Sequence, residues 1–174
     1  KHVRNLDQLG YEKQTRNIVN HRQGCSIKIR QIAQGTAGDN IQIISCFVKK
    51  RNHRYVNFGH GASSKYRGFM FDFDTESIVA TGESGSGPVM RDHGFVKYPN
   101  GWYRLYMATD SGANGSAGAK VWIPKTSAFI KPSNDASTQT YDGTESVYFW
   151  GFNRIANGTH LSSFIYSVEG GNVT

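Results

Sequence analysis

Apolar and polar residues alternate with a period of two in segment after segment of this sequence, and clusters of glycine, serine, asparagine and aspartate separate the segments. A strand turns successive side chains to opposite faces, so the pattern predicts half-buried β-strands joined by turns. The candidate strands cover residues 26–33, 41–49, 54–60, 67–73, 77–81, 94–98, 102–109, 119–124, 147–152 and 162–168. Between them stand "GTAGDN", "DTES", "GESGSGP", "YPNG", "DSGANGSAG" and "KPSNDAS", all rich in residues that tolerate turn geometry. Strands with short polar connections predict an all-β fold, an antiparallel two-sheet β-sandwich of jelly-roll type.

Only residues 1–24 depart from the pattern. Leu6, Leu9, Ile18 and Val19 could make a short helix that Gly10 interrupts, and the segment reads as a lead-in arm or linker before a sandwich domain over residues 25–174. The full 174 residues suit one domain with a real core. Apolar content of 37%, with 20 glycines and only 4 prolines, fits a packed, turn-rich β protein.

The formal charge of +7 is enough for weak attraction to nucleic acid or an acidic polysaccharide. The basic residues are scattered, however, and no nucleic-acid motif accompanies them, so nucleic acid is not expected as a partner. Most of this charge reads as solvated surface, and the densest run, "KKRNHR" from Lys49 to Arg54, as a polar turn. No apolar run approaches the roughly 20 residues that span a bilayer, so no membrane insertion is expected. Cys25, just before the first candidate strand, and Cys46, in the second, have no metal-ligand spacing; a disulfide between them is the weaker reading and two reduced, partly buried thiols the stronger. The chain begins with lysine, which reads as a fragment or processed product.

The sharpest catalytic pattern is "FMFDFDTES". Alternation sets Phe69, Phe71 and Phe73 on one face and Asp72 and Asp74 on the other, with Glu76 two positions on. Retaining glycosidases need two carboxyl groups about 5 Å apart, which such a strand can supply. Yet "DTES" also has the composition of a hairpin turn, which takes Glu76 off the strand face and leaves Asp72 alone. The turn is the stronger reading. No cofactor is expected; a structural calcium held by Asp72, Asp74 or Glu76 is the alternative kept in view. His60 and His93 sit beside glycines in no zinc or triad spacing and read as surface histidines.

"WYRLYMAT" from Trp102 to Thr109 is the most suggestive strand. Tyr103, Leu105, Met107 and Thr109 share the better core face; Trp102, Arg104, Tyr106 and Ala108 share the other. Indole, guanidinium and phenol in a row can stack on pyranose rings and hydrogen-bond their hydroxyls. They can also pack as an inner layer, with Arg stacked on a ring under a loop. On chemistry alone packing ranks ahead. Trp122, flanked by Val121 and Ile123, should point outward, whereas Trp150 lies in a strand apolar on both faces and reads as core.

Taken in order, "ISCFVKKRNHRYVNFG", "GFMFDFDTESIVATG", "VKYPNGWYRLYMAT", "SVYFWGFNRI" and "SSFIYSVEGGNVT" resemble the concanavalin-like, carbohydrate-binding-type sandwich domain of bacteriophage tailspikes, tail fibres and other virion proteins. "NGWYR" and "VYFWGF" carry the resemblance most specifically. The chain departs from it in three places: Glu76 replaces a glycine after the "FD" turn, Arg154 stands near a usually acidic position, and the closing segment reads "YSVE".

The resemblance implies a non-catalytic module of a virion protein, part of a longer and often trimeric tail protein, that attaches to host cell-surface polysaccharide or supports the trimer. Trp102, Arg104, Tyr106 and Trp122 are the expected sugar contacts, with Asp72 or Asp92 as hydrogen-bond partners. A purely structural or trimerising domain and a concanavalin-fold glycoside hydrolase are the alternatives.

Overall fold

The computed structural model describes residues 16–19, 41–62, 65–85, 88–110, 118–124, 126–127 and 144–156. In chain order its strands are β1 (Arg16–Val19), β2 (Ile41–Lys50), β3 (Tyr55–Ala62), β4 (Lys65–Asp72), β5 (Ser77–Ser84), β6 (Met90–Lys97), β7 (Trp102–Asp110), β8 (Gly118–Trp122) and β9 (Ser146–Ala156). They pair antiparallel in two sheets, ordered β1-β9-β2-β7-β6 and β5-β4-β3-β8. The sheets pack face to face, and the chain is an all-β sandwich. Among the described residues no helix is long and apolar enough to cross a membrane. The expected strands at 26–33 and 162–168, and Cys25, lie outside the described residues.

Alternation decides which side chains enter the core. From the five-stranded sheet come Ile44, Cys46, Val48, Tyr103, Leu105, Met107, Val147 and Phe149; from the other come Val56, Phe58, Phe69, Phe71, Ala119 and Val121. Phe71 meets Phe95 at 4.8 Å and Tyr103 at 4.9 Å between ring centroids, so the rings interlock across the layers. Each such ring contributes roughly 1.5–3 kcal/mol by leaving water. His60 is buried rather than superficial, with Nδ1 2.9 Å from Thr109 Oγ1 across the core. His93, half-buried, lies 5.4 Å from the Phe69 ring. The Cys46 thiol is free and enclosed, and burial pushes its pKa up.

The turns follow their chemistry. Between β6 and β7, Asn100 and Gly101 adopt φ of 61° and 75°, and the Tyr98 amide donates to Trp102 O at 2.8 Å; Asn and Gly are the residues that enter this left-handed region most readily. Of the "KKRNHR" run, Lys49 and Lys50 end β2 and only Arg51 to Arg54 make the turn into β3, a tightly anchored one. Asn52 Oδ1 accepts from Ser146 N and Oγ, both at 2.8 Å, His53 bonds Pro124 O, Arg54 grips Asp72, and Lys50 pairs with Asp74.

Two features differ from the sequence reading. Ile18 and Val19 belong not to a helix but to β1, an edge strand paired with β9; β-branched residues suit a pleated edge. Both outer faces also bury apolar side chains. Ile43 and Phe47 on the five-stranded sheet, and Tyr66, Met70 and Trp122 on the four-stranded sheet, are enclosed yet stand outside the inter-sheet core. A Cβ on Gly59 would overlap the Tyr66 hydroxyl, so the glycine is what lets this ring lie flat on its sheet.

Candidate functional site

Strand register sorts the expected site residues onto opposite sides of the sandwich. Trp102, Arg104, Tyr106 and Asp92 share the outer face of the five-stranded sheet, because β7 turns its even positions away from the core and Asp92 pairs with Ala108. Asp72 and Trp122 lie on the outer face of the other sheet, paired with Tyr55 and Asn57. One surface cannot use all six.

Asp72 is no open ligand group. Arg54 grips its carboxylate from Nε at 3.0 and 3.1 Å and from Nη2 at 2.8 Å, and the Asp74 amide donates to it at 2.9 Å. The Arg54 hydrogen bonds, working against burial and aided by the Asp74 amide, hold its pKa at about 2. The "DTES" stretch is indeed the β4–β5 turn, and Glu76 stands there at φ 50°. Its carboxylate accepts from Lys97 Nζ at 2.7 Å and from the Tyr103 hydroxyl, and these bonds hold its pKa below the usual carboxylate value. Asp72, Asp74 and Glu76 are thus each paired with a cation. Among the described residues no group of three or more His, Cys, Asp or Glu is placed to hold a metal ion.

Trp122 does turn away from the core as expected, but it is only 3% exposed, 5.1 Å from the Tyr66 ring. Arg104 is likewise only 2% exposed, donating to Ser45 Oγ at 3.2 and 3.1 Å and stacked over Phe47 at 5.6 Å. Arg104 is thus packed over a ring, as the packing reading expected, but on the outer face rather than in the inner layer, and the ring is Phe47 rather than a tryptophan. An arginine so enclosed offers little surface to a ligand.

Around the enclosed Arg104 and Phe47 runs a band of accessible rings. Phe47 touches Tyr98 at 5.2 Å on one side and Trp150 at 5.0 Å on the other. Trp102 and Tyr148 flank Lys49 across β7, β2 and β9, and Arg51 stacks on Tyr148 at 5.8 Å. Tyr98 is exposed, and Trp102, Tyr148 and Trp150 are half-buried. Further along, Tyr106 lies across Gly94, and burial together with nearby Asp92 pushes its phenol pKa up.

Trp150 is the correction here. Val147 and Phe149 take the core positions of β9 and leave Tyr148 and Trp150 outside. The signal was present in "SVYFWGF", where strict alternation splits the rings between faces, but the uniform apolarity of the segment hid it. Tyr98 and Lys49 carry no such signal, since a turn residue and a strand-end lysine join this face only through the pairing of β2, β7 and β9.

No protein-family model matches the chain, and no curated protein matches it.

Proposed function

We propose that this sandwich is a non-catalytic carbohydrate-binding module of a bacteriophage tail protein, and that its sugar site is the outer face of the five-stranded sheet. The carrying observation is the band of accessible rings, Tyr98, Trp102, Tyr148 and Trp150, set around the enclosed Phe47–Arg104 stack. Rings fixed on a rigid sheet present flat apolar faces to pyranose C–H groups at little entropic cost, while Lys49 and Asp92 supply polar partners at the edges.

Two further features support the reading. Glu76, standing where the tailspike-type pattern has glycine, adopts the left-handed conformation that glycine favours, and the "NG" of "NGWYR" makes the left-handed turn that launches β7. A carboxyl group held at about 2 and gripped by arginine is a poor proton donor near neutral pH, which speaks for binding over hydrolysis. In the intact tail protein the module serves as one arm of a homotrimer on the host polysaccharide.

A glycan array probed with the wild-type chain and with Trp102→Ala tests the proposal. Wild type should retain at least one polysaccharide, and Trp102→Ala should lose it while keeping its melting temperature within a few degrees. A wild-type chain that binds no glycan would overturn the reading. Sugar release by wild type that Asp72→Asn abolishes would overturn its non-catalytic part.

A further inference from the structure

Five cations among the described residues pair with carboxylates. Lys50 pairs with Asp74, Arg54 with Asp72, Arg67 with Glu83, Arg91 with Asp110, and Lys97 with Glu76. Lys49 and Arg51, from the same "KKRNHR" run, have no carboxylate partner among the described residues. Both stand on the aromatic band: Lys49 between Trp102 and Tyr148, and Arg51 over the Tyr148 ring. The turn is anchored through Lys50, Asn52, His53 and Arg54, which fixes the backbone that carries Lys49 and Arg51.

We infer that the ligand of this face is an anionic polysaccharide, one carrying an acidic group on some but not all of its sugars, and that Lys49 and Arg51 receive that group. The inference rests on the reading of the face as a sugar platform. Rings beneath the chain hold the saccharide, and two cations at one end select for charge by attraction and by long-range steering.

The opposite end argues for sparse charge. Register places Asp92 three pleat rows from Lys49 on the same face, roughly 20 Å along the strands at about 3.3 Å per residue. Asp92 is exposed, and among the described residues its Oδ1 accepts from the His93 amide, at 2.8 Å. A chain with a phosphate at every unit would gain from two cations and then be repelled by this carboxylate, whereas nucleic-acid grooves neutralise many phosphates in succession. A glycan with one acid per repeat sets that acid at Lys49 and Arg51 and offers hydroxyl donors to Asp92.

The test is an immobilised panel of polysaccharides in matched pairs, uronate-bearing or sulfated against neutral, together with a thymidine oligonucleotide. It is read at about 0.05 M and about 0.5 M salt, where screening lengths differ several-fold. Wild type should retain acidic members preferentially and lose affinity at least about fivefold at the higher salt. The double variant Lys49→Gln with Arg51→Gln should lose about tenfold on acidic members and become indifferent to charge. Retention of neutral members alone, through Trp102, would overturn this inference and leave the sugar platform standing. Stronger retention of the oligonucleotide, or of nothing, would overturn both.

Discussion

The Tyr106 ring lies across Gly94, its hydroxyl oxygen 2.6 Å from where a Cβ on residue 94 would stand. Beside it, Asp92 completes the far end of the aromatic face. The four-stranded sheet repeats the device with Tyr66 over Gly59. Tyr106 is half-buried and able to swing outward, whereas Tyr66 is wholly enclosed. Gly94→Ala should therefore cost about 1 kcal/mol, and Gly59→Ala about 3 kcal/mol or more. Thermal denaturation of the two variants reads the difference. Equal melting temperatures would contradict the packing of Tyr66.

The Arg54–Asp72 pair predicts acid sensitivity of a definite sign. Asp72 has a folded pKa of about 2, below its unfolded value of about 3.9. A depressed pKa adds stability that is complete above the unfolded value and is lost as pH falls through the folded one. Asp72→Ala should lower stability at neutral pH by about 2 kcal/mol, given that Arg54 is half exposed. The gap to wild type should narrow between pH about 4 and about 2. A gap that is constant across that range in denaturant titrations would refute the ionic account.

Glu76 sets a backbone penalty against its contacts. A non-glycine residue at φ 50° costs roughly 1 kcal/mol, and its carboxylate gains Lys97 and Tyr103 in return. Glu76→Ala keeps the penalty and loses both partners; Glu76→Gly loses the partners and the penalty together. The glycine variant should be about 1 kcal/mol more stable than the alanine variant. Urea unfolding of both checks this, and alanine equal to glycine would deny the strain.

Cys46 is enclosed in the core with its thiol pKa raised by burial. The thiolate is the reactive form, so in a Cys25→Ser background an aromatic disulfide reagent should leave the native protein unlabelled and react on unfolding. Prompt labelling of the folded chain would show the core to be looser than the sandwich requires.

Much of this architecture is legible in local pattern. Alternation in "WYRLYMAT" correctly assigns Tyr103, Leu105 and Met107 to the core, and the composition of "DTES" correctly makes a turn of Asp74 to Glu76. What a strand's own sequence does not contain is its neighbours. Whether an outward residue meets solvent depends on what covers that face, which is why Arg104 and Trp122 prove enclosed although their spacing turns them outward. Sheet membership is equally non-local: Asp72 and Trp122 fall on the opposite side from Trp102 through the pairing of β3 with β4 and β8. Trp150 and Tyr98 join the aromatic band for the same reason, each brought to Phe47 by register across distant segments.

The most direct test is a crystal structure of the chain soaked with an oligosaccharide cut from a polysaccharide it retains. The account predicts sugar rings stacked on Trp102 and Trp150, with an acidic substituent at Lys49 and Arg51. Sugar bound instead on the Tyr66–Trp122 side, or at Asp72, would contradict it.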